Sequence, residues 1–159
     1  MKKMKGLRIV SMACVEVCVA LCCLNIAYAV GHTTIKSYSD RSFTAGWTHT
    51  VNTQNGILWY NSQTGAGAVG RVDSAGNHTT IKTMNFSTGW THIVNTPNGI
   101  LYYNAQSGDG AVGQINGEGN HTTIKTLKFS TGWTHIVNTS NGILYYNAQT
   151  GAGAVGRIE

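Results

Sequence analysis

The sequence predicts an all-β protein built as blades of a β-propeller, each of four antiparallel strands, three per chain. Three observations carry this. A block recurs at a fixed period of 43 residues: His78–Lys82 repeats as His121–Lys125, and Trp47, Trp90 and Trp133 are evenly spaced. Each block holds short runs of β-branched and aromatic residues, such as Gly-Ile-Leu-Tyr-Tyr, and Asn-Gly steps punctuate it. Helical periodicity is absent after residue 30. A fixed period of 20–50 residues marks a stacked or ring-like repeat, and four short strands per 40–45 residues describe a propeller blade. A β-trefoil-like three-unit body is the competing architecture, since its units are of similar length and three of them close it.

Over the 39 pairs from His78 to Asn116 and His121 to Glu159, seven differ. The units run about 32–77, 78–120 and 121–159, and the first carries three extra residues before Trp47. Within a unit, Gly89 to Thr96 alternates Trp90, His92 and Val94 against Thr91, Ile93 and Asn95, with apolar residues on both faces. That pattern predicts a strand buried on both sides. Asn98-Gly99 predicts a hairpin turn, because both residues tolerate positive φ. Gly99 to Ala105 is the second strand and Ala111 to Ile115 a shorter third. His121 to Phe129 is the fourth, and its polar composition places it outermost. Pro97, the single proline, falls in the hairpin turn, where a missing N–H is tolerated.

The first 29 residues read as a signal peptide. Lys2, Lys3, Lys5 and Arg8 precede an apolar run that ends in Ala27-Tyr28-Ala29, a small-x-small cleavage pattern. The expected product is secreted, extracellular or periplasmic, and not membrane-bound after cleavage; a retained anchor is the alternative. All four cysteines (Cys14, Cys18, Cys22, Cys23) precede the cut, so disulfides stabilise nothing after it. The remaining chain has seven basic and five acidic residues, a net charge of +2, which leaves no basic stripe for nucleic acid.

The segment Trp133-Thr-His-Ile-Val, Asn141-Gly-Ile-Leu-Tyr-Tyr-Asn147 and Thr150-Gly-Ala-Gly-Ala-Val-Gly-Arg157 resembles the tachylectin-type β-propeller lectins. The resemblance extends over Gly31 to Glu159, three times. It implies a five-bladed ring that binds N-acetylated amino sugars, without metal, between adjacent blades. This chain has three units, not five, so ring closure within one chain is in question. The resemblance further implies a pocket between the loop joining a blade's outer strands and the segment that enters the next blade. A sugar needs one aromatic wall and a few fixed donors and acceptors. On that basis the expected carbohydrate-binding residues are Asn77, His78 and Trp90 for one site, and Asn120, His121 and Trp133 for the next. The expected ligands are glycans carrying N-acetylhexosamine, of GlcNAc or GalNAc type. A non-catalytic structural or protein-interaction repeat protein is the alternative.

No cofactor or metal is expected. His49, His92 and His135 recur, yet no Cys or carboxylate stands at zinc-ligand spacing beside them. Catalysis is not expected either. The acids Asp40, Asp73, Asp109, Glu118 and Glu159 do not recur at equivalent positions, as a glycosidase pair would. A homo-oligomer is expected, with two chains giving six blades, because three blades leave apolar flanks and strand edges uncovered.

Overall fold

Residues rich in β-branched and aromatic side chains form eleven strands among the described residues, and no helix. The structure is a computed structural model and describes residues 31–39 and 42–159. The expected signal peptide, its cysteines and Asp40 lie outside the described residues.

Strands β1 (His49–Thr53), β2 (Gly56–Tyr60), β3 (Ala66–Val72) and β4 (His78–Asn85) form a four-stranded sheet in sequence order. Strands β5 (His92–Thr96), β6 (Gly99–Tyr103), β7 (Asp109–Ile115) and β8 (His121–Lys128) form the second sheet in the same way. Strands β9 (His135–Thr139), β10 (Gly142–Tyr146) and β11 (Gly153–Gly156) form a third sheet of three strands. Every pairing is antiparallel and joins strands of one sheet. The trefoil-like body is therefore not formed, because it would need strands of the three sheets to pair with one another in a common barrel. Each His-Thr-Thr-Ile-Lys strand closes the sheet before it, so the sheets span 49–85, 92–128 and 135–156 rather than the units cut at His78 and His121.

The hairpin turn sits one residue earlier than Asn98-Gly99. Thr96 pairs with Gly99, and Pro97 and Asn98 make the turn. Thr96 Oγ1 donates to Gly99 O at 2.7 Å, and Gly99 adopts φ 140°. A side chain there would approach the Gly113 carbonyl at 2.9 Å, which explains the glycine. Strand β5 begins at His92, not Gly89, because Gly89 at φ 85° turns the chain before Trp90.

The inner strands stack in series, β1 beside β5 and β5 beside β9. Leu58, Tyr60 and Val69 of the first sheet bury against Ile93, Ile100, Tyr102, Ala111 and Ile115 of the second. Leu101, Tyr103 and Val112 of the second repeat this against Ile136, Ile143 and Tyr145 of the third. Each fully buried residue of this kind contributes about 1.5–3 kcal/mol over leaving it in water. The recurring histidines bolt the series together. His49 Nε2 donates to Thr91 O at 3.0 Å, and His92 Nε2 to Thr134 O at 2.9 Å. Their Nδ1 atoms meet Thr48 and Thr91 hydroxyls. These imidazoles are thus tied to the backbone of the next sheet.

Candidate functional site

Because consecutive strands run antiparallel, turns alternate between the two ends of each sheet. The hairpin turns (Gln54-Asn55, Pro97-Asn98) and the outer loops (73–77, 116–120) share one end. The β2–β3 turns and the segments entering the next sheet share the other. Each end holds a cleft between neighbouring sheets.

At the hairpin end, a cavity of about 370 Å³ is lined by Thr53, Asn55, Asn95, Thr96, Gln114 and Asn120, among others. Forty-three residues on, Thr96, Asn98, Asn138, Thr139 and Arg157 line a similar one of about 210 Å³. Asn55 Nδ2 donates to Ile115 O at 2.7 Å and Asn98 Nδ2 to Ile158 O, which ties each hairpin tip to the following sheet. These clefts are polar and no aromatic ring lines them.

At the entering end, Trp90 borders two adjoining cavities. One, of about 500 Å³, is lined by Ser87, Trp90, Asn104, Asp109, Thr123 and Thr126. The other, of about 190 Å³, reaches Phe86, Tyr102 and His121. The positioning of Trp90 is explicit. Tyr60, fully buried, donates its hydroxyl to Ser87 O at 2.8 Å and receives the Trp90 N–H at 3.3 Å. Gly89 N donates to Ser62 O at 2.8 Å. The Trp90 ring then rests on Tyr102, centroids 5.9 Å apart, and the residue is partly buried. The next sheet repeats the device: Tyr103 donates to Ser130 O and receives the Trp133 N–H, and Trp133 rests on Tyr145 at 6.0 Å.

Electrostatics in the Trp90 cleft follow from burial and pairing. Burial pushes the Tyr102 phenol up, with nearby Tyr60 adding to it. Burial holds His121 below the ordinary histidine value. Tyr102 Oη and His121 Nε2 are buried with no hydrogen-bond partner in the protein, a costly state at about 1–3 kcal/mol each. Asp109 lies low because Lys128 binds it at 2.8 Å, with Ser107 helping.

The His121 shift has a testable sign. Folding favours the neutral ring, so the unfolded chain binds more protons near the ordinary value of 6.5. Stability is complete above that pH and falls as the solution is acidified through it. The melting temperature is expected to drop between pH 7.5 and pH 5.0, and His121→Gln to reduce that drop. An identical pH dependence in the variant would refute this.

The structure regroups the residues expected from sequence. Asn77, His78 and Trp90 do not come together, because loop 73–77 and Trp90 lie at opposite ends of β4. That eight-residue strand separates them by roughly 25 Å at about 3.3 Å per residue. The same holds for Asn120, His121 and Trp133 across β8. Trp90 instead shares its cleft with His121. His78 stands against Phe43 and Trp59, each 4.9 Å away. Trp133 packs on the second core with Phe129 and Tyr145 nearby. Asn77 and Asn120 are engaged at both ends: Nδ2 donates to Asp73 and Glu118, and Oδ1 accepts from Lys36 and Lys82. They knit loop 73–77 to the segment at Lys36 and loop 116–120 to β4. Sequence reasoning missed Thr123, Thr126 and Asp109, and also the tyrosine clamp. The clamp had a signal, since Tyr60 and Tyr103 each stand 30 residues before a tryptophan.

No family model matches the chain, and no curated protein matches it. Among solved structures it is similar to a protein from Lactobacillus plantarum, at a TM-score of 0.43 and 17% identity. The match covers 64% of this chain and 38% of that one. Among the described residues, no group of three or more His, Cys, Asp or Glu could hold a metal ion.

Proposed function

We propose that this protein is a secreted, non-catalytic lectin whose sheets are propeller blades, and that it binds N-acetylated amino sugars in the Trp90 cleft. The observation that carries the reading is one partly buried indole, its backbone fixed by the tyrosine clamp, bordering a cleft with Ser87, Thr123, Thr126 and Asp109. A pyranose presents an apolar C–H face and a rim of polar groups. The indole takes the face, while the hydroxyls and the carboxylate take the rim. Asp109 stays ionised through Lys128, so it accepts from sugar hydroxyls or the acetamido N–H at neutral pH. The resemblance to the tachylectin-type blades supports the acetamido preference.

The test is a titration of the folded protein with GlcNAc and GalNAc, followed by the tryptophan indole N–H signals in NMR, with excess chelator present. Saturable shifts at the Trp90 indole, unchanged by chelator, are expected. Silence for both sugars in a folded sample would refute the lectin reading. Loss of binding in chelator, restored by calcium or zinc, would refute the metal-free mechanism.

A further inference from the structure

The third sheet presents to solvent the residues that the first two bury. Leu58, Tyr60 and Val69 are fully buried, and so are Leu101 and Tyr103, with Val112 close behind. Their counterparts Leu144, Tyr146 and Val155 are 40%, 39% and 71% exposed. In the first two sheets this face is covered by the sheet that follows. On the first sheet's complementary face the opening is confined to the end of β3: Val72 is 51% exposed, whereas its counterpart Ile115 is 6% exposed beneath the preceding sheet, and Trp59 and Ala68 are buried like their counterparts Tyr102 and Ala111.

A second observation says what covers the open face. Segment 35–38 belongs to no strand, yet it is seated. A Cβ placed on Gly76 would lie 2.9 Å from Lys36 Cβ, and one on Gly119 would lie 3.1 Å from Lys82 Cβ. Lys36 binds Asn77 just as Lys82 binds Asn120. Lys36 thus holds, against the first sheet, the place that β4 holds against the second: the place of a preceding sheet's outer strand. The sequence of residues 32–36 is identical to that of β4 at 78–82. Meanwhile β11, the strand that an outer strand would join, has no partner on its far side among the described residues.

We propose that a second copy of this chain docks head to tail on this one. The first sheet of each copy covers the third sheet of the other, and the segment ending at Lys36 adds to β11 as its fourth strand. The register follows from the sheets already complete. Val69 pairs with Lys82 and Val112 with Lys125, so Val155 faces Lys36 of the second copy. Gly70 and Gly113 are each backed by a histidine, His78 and His121, whereas Gly156 meets only Tyr145, at 3.4 Å. Position 32, also histidine, completes that packing. Phe86 makes edge contacts with both Tyr60 and His121, and Phe129 with Tyr103. Phe43 already meets His78, and its exposed side fits Tyr146 of the second copy. The contact is heterologous, and two copies close it into six sheets. The inference does not depend on what the Trp90 cleft binds.

Light scattering on the wild-type protein should give twice the chain mass. Val155→Asp should give a folded monomer, since Val155 is exposed in a single chain. In a Lys36→Cys, Val155→Cys variant co-refolded from isotopically light and heavy chains, peptide mass spectrometry should find mixed light–heavy bridges between positions 36 and 155. A folded wild-type monomer, a Val155→Asp dimer, or bridges only within single chains would overturn the proposal.

Discussion

Replacing Tyr103 with alanine is expected to destabilise the protein by about 3–5 kcal/mol, the cost of truncating a buried aromatic ring. The residue is fully buried at the centre of the second sheet-to-sheet contact. Its ring meets Phe129 edge-on at 5.8 Å and His92 at 5.7 Å. Its hydroxyl joins two backbone groups of the segment entering the third sheet, Ser130 O and Trp133 N–H. Truncation therefore opens a cavity and unties that segment at once. Against a typical total of about 5–15 kcal/mol, this removes a large part of the stability. Tyr103→Phe separates the two contributions. It keeps the ring and loses only the clamp, at about 1–3 kcal/mol because Ser130 O and Trp133 N–H lose their shared partner. Urea unfolding followed by far-ultraviolet circular dichroism reads both. A loss below about 1 kcal/mol for the alanine variant would show that the contact does not bear the stability assigned to it.

The strands were legible because their signal is local. Thr96, Pro97, Asn98 and Gly99 sit together in sequence and in the hairpin, and the polar His121–Lys128 run does form the outer strand. Repetition at 43 made the sheet count legible too, although it left the phase open. A repeat has no intrinsic start, and only pairing shows that His78–Asn85 belongs with the strands before it. The site was less legible because its grouping depends on which end of a strand a residue occupies. Asn77 and Trp90 are 13 residues apart, but β4 carries the chain the length of the sheet between them. Asn77 and Asn120 read as ligand groups until their lysine partners appear, 41 and 38 residues away. The role of the recurring histidines was also hidden. For His49 and His92, Nε2 is on the carbonyl just before the next sheet's first strand, 42 residues on. Contacts at about one repeat length are invisible to local pattern, yet they are what a stacked repeat uses to hold its sheets together.

Trp90→Ala is expected to weaken sugar binding at its cleft by about 10- to 150-fold, the equivalent of roughly 1.5–3 kcal/mol for a lost aromatic platform. Among the described residues the indole is the only aromatic group on the larger of the two cavities it borders, so it is the group there that can take the apolar face of a pyranose. Part of the ring also packs on the core through Tyr102, so the variant loses stability as well as affinity. Affinity is therefore read well below the variant's melting temperature, with circular dichroism confirming the fold. Thr123→Val provides a variant free of that complication. Thr123 is exposed on the outer strand and lines both cavities, and valine keeps its shape while removing the hydroxyl. It should weaken binding several-fold with no change in melting temperature. The carboxylate is tested separately. Asp109 is exposed and lines the larger cavity, and Ala152 holds the equivalent place in the third repeat. If the carboxylate orients the sugar rim, Asp109→Ala should weaken binding at the Trp90 cleft several-fold with the fold retained. Unchanged affinity in that variant would show that Asp109 has no part in recognition.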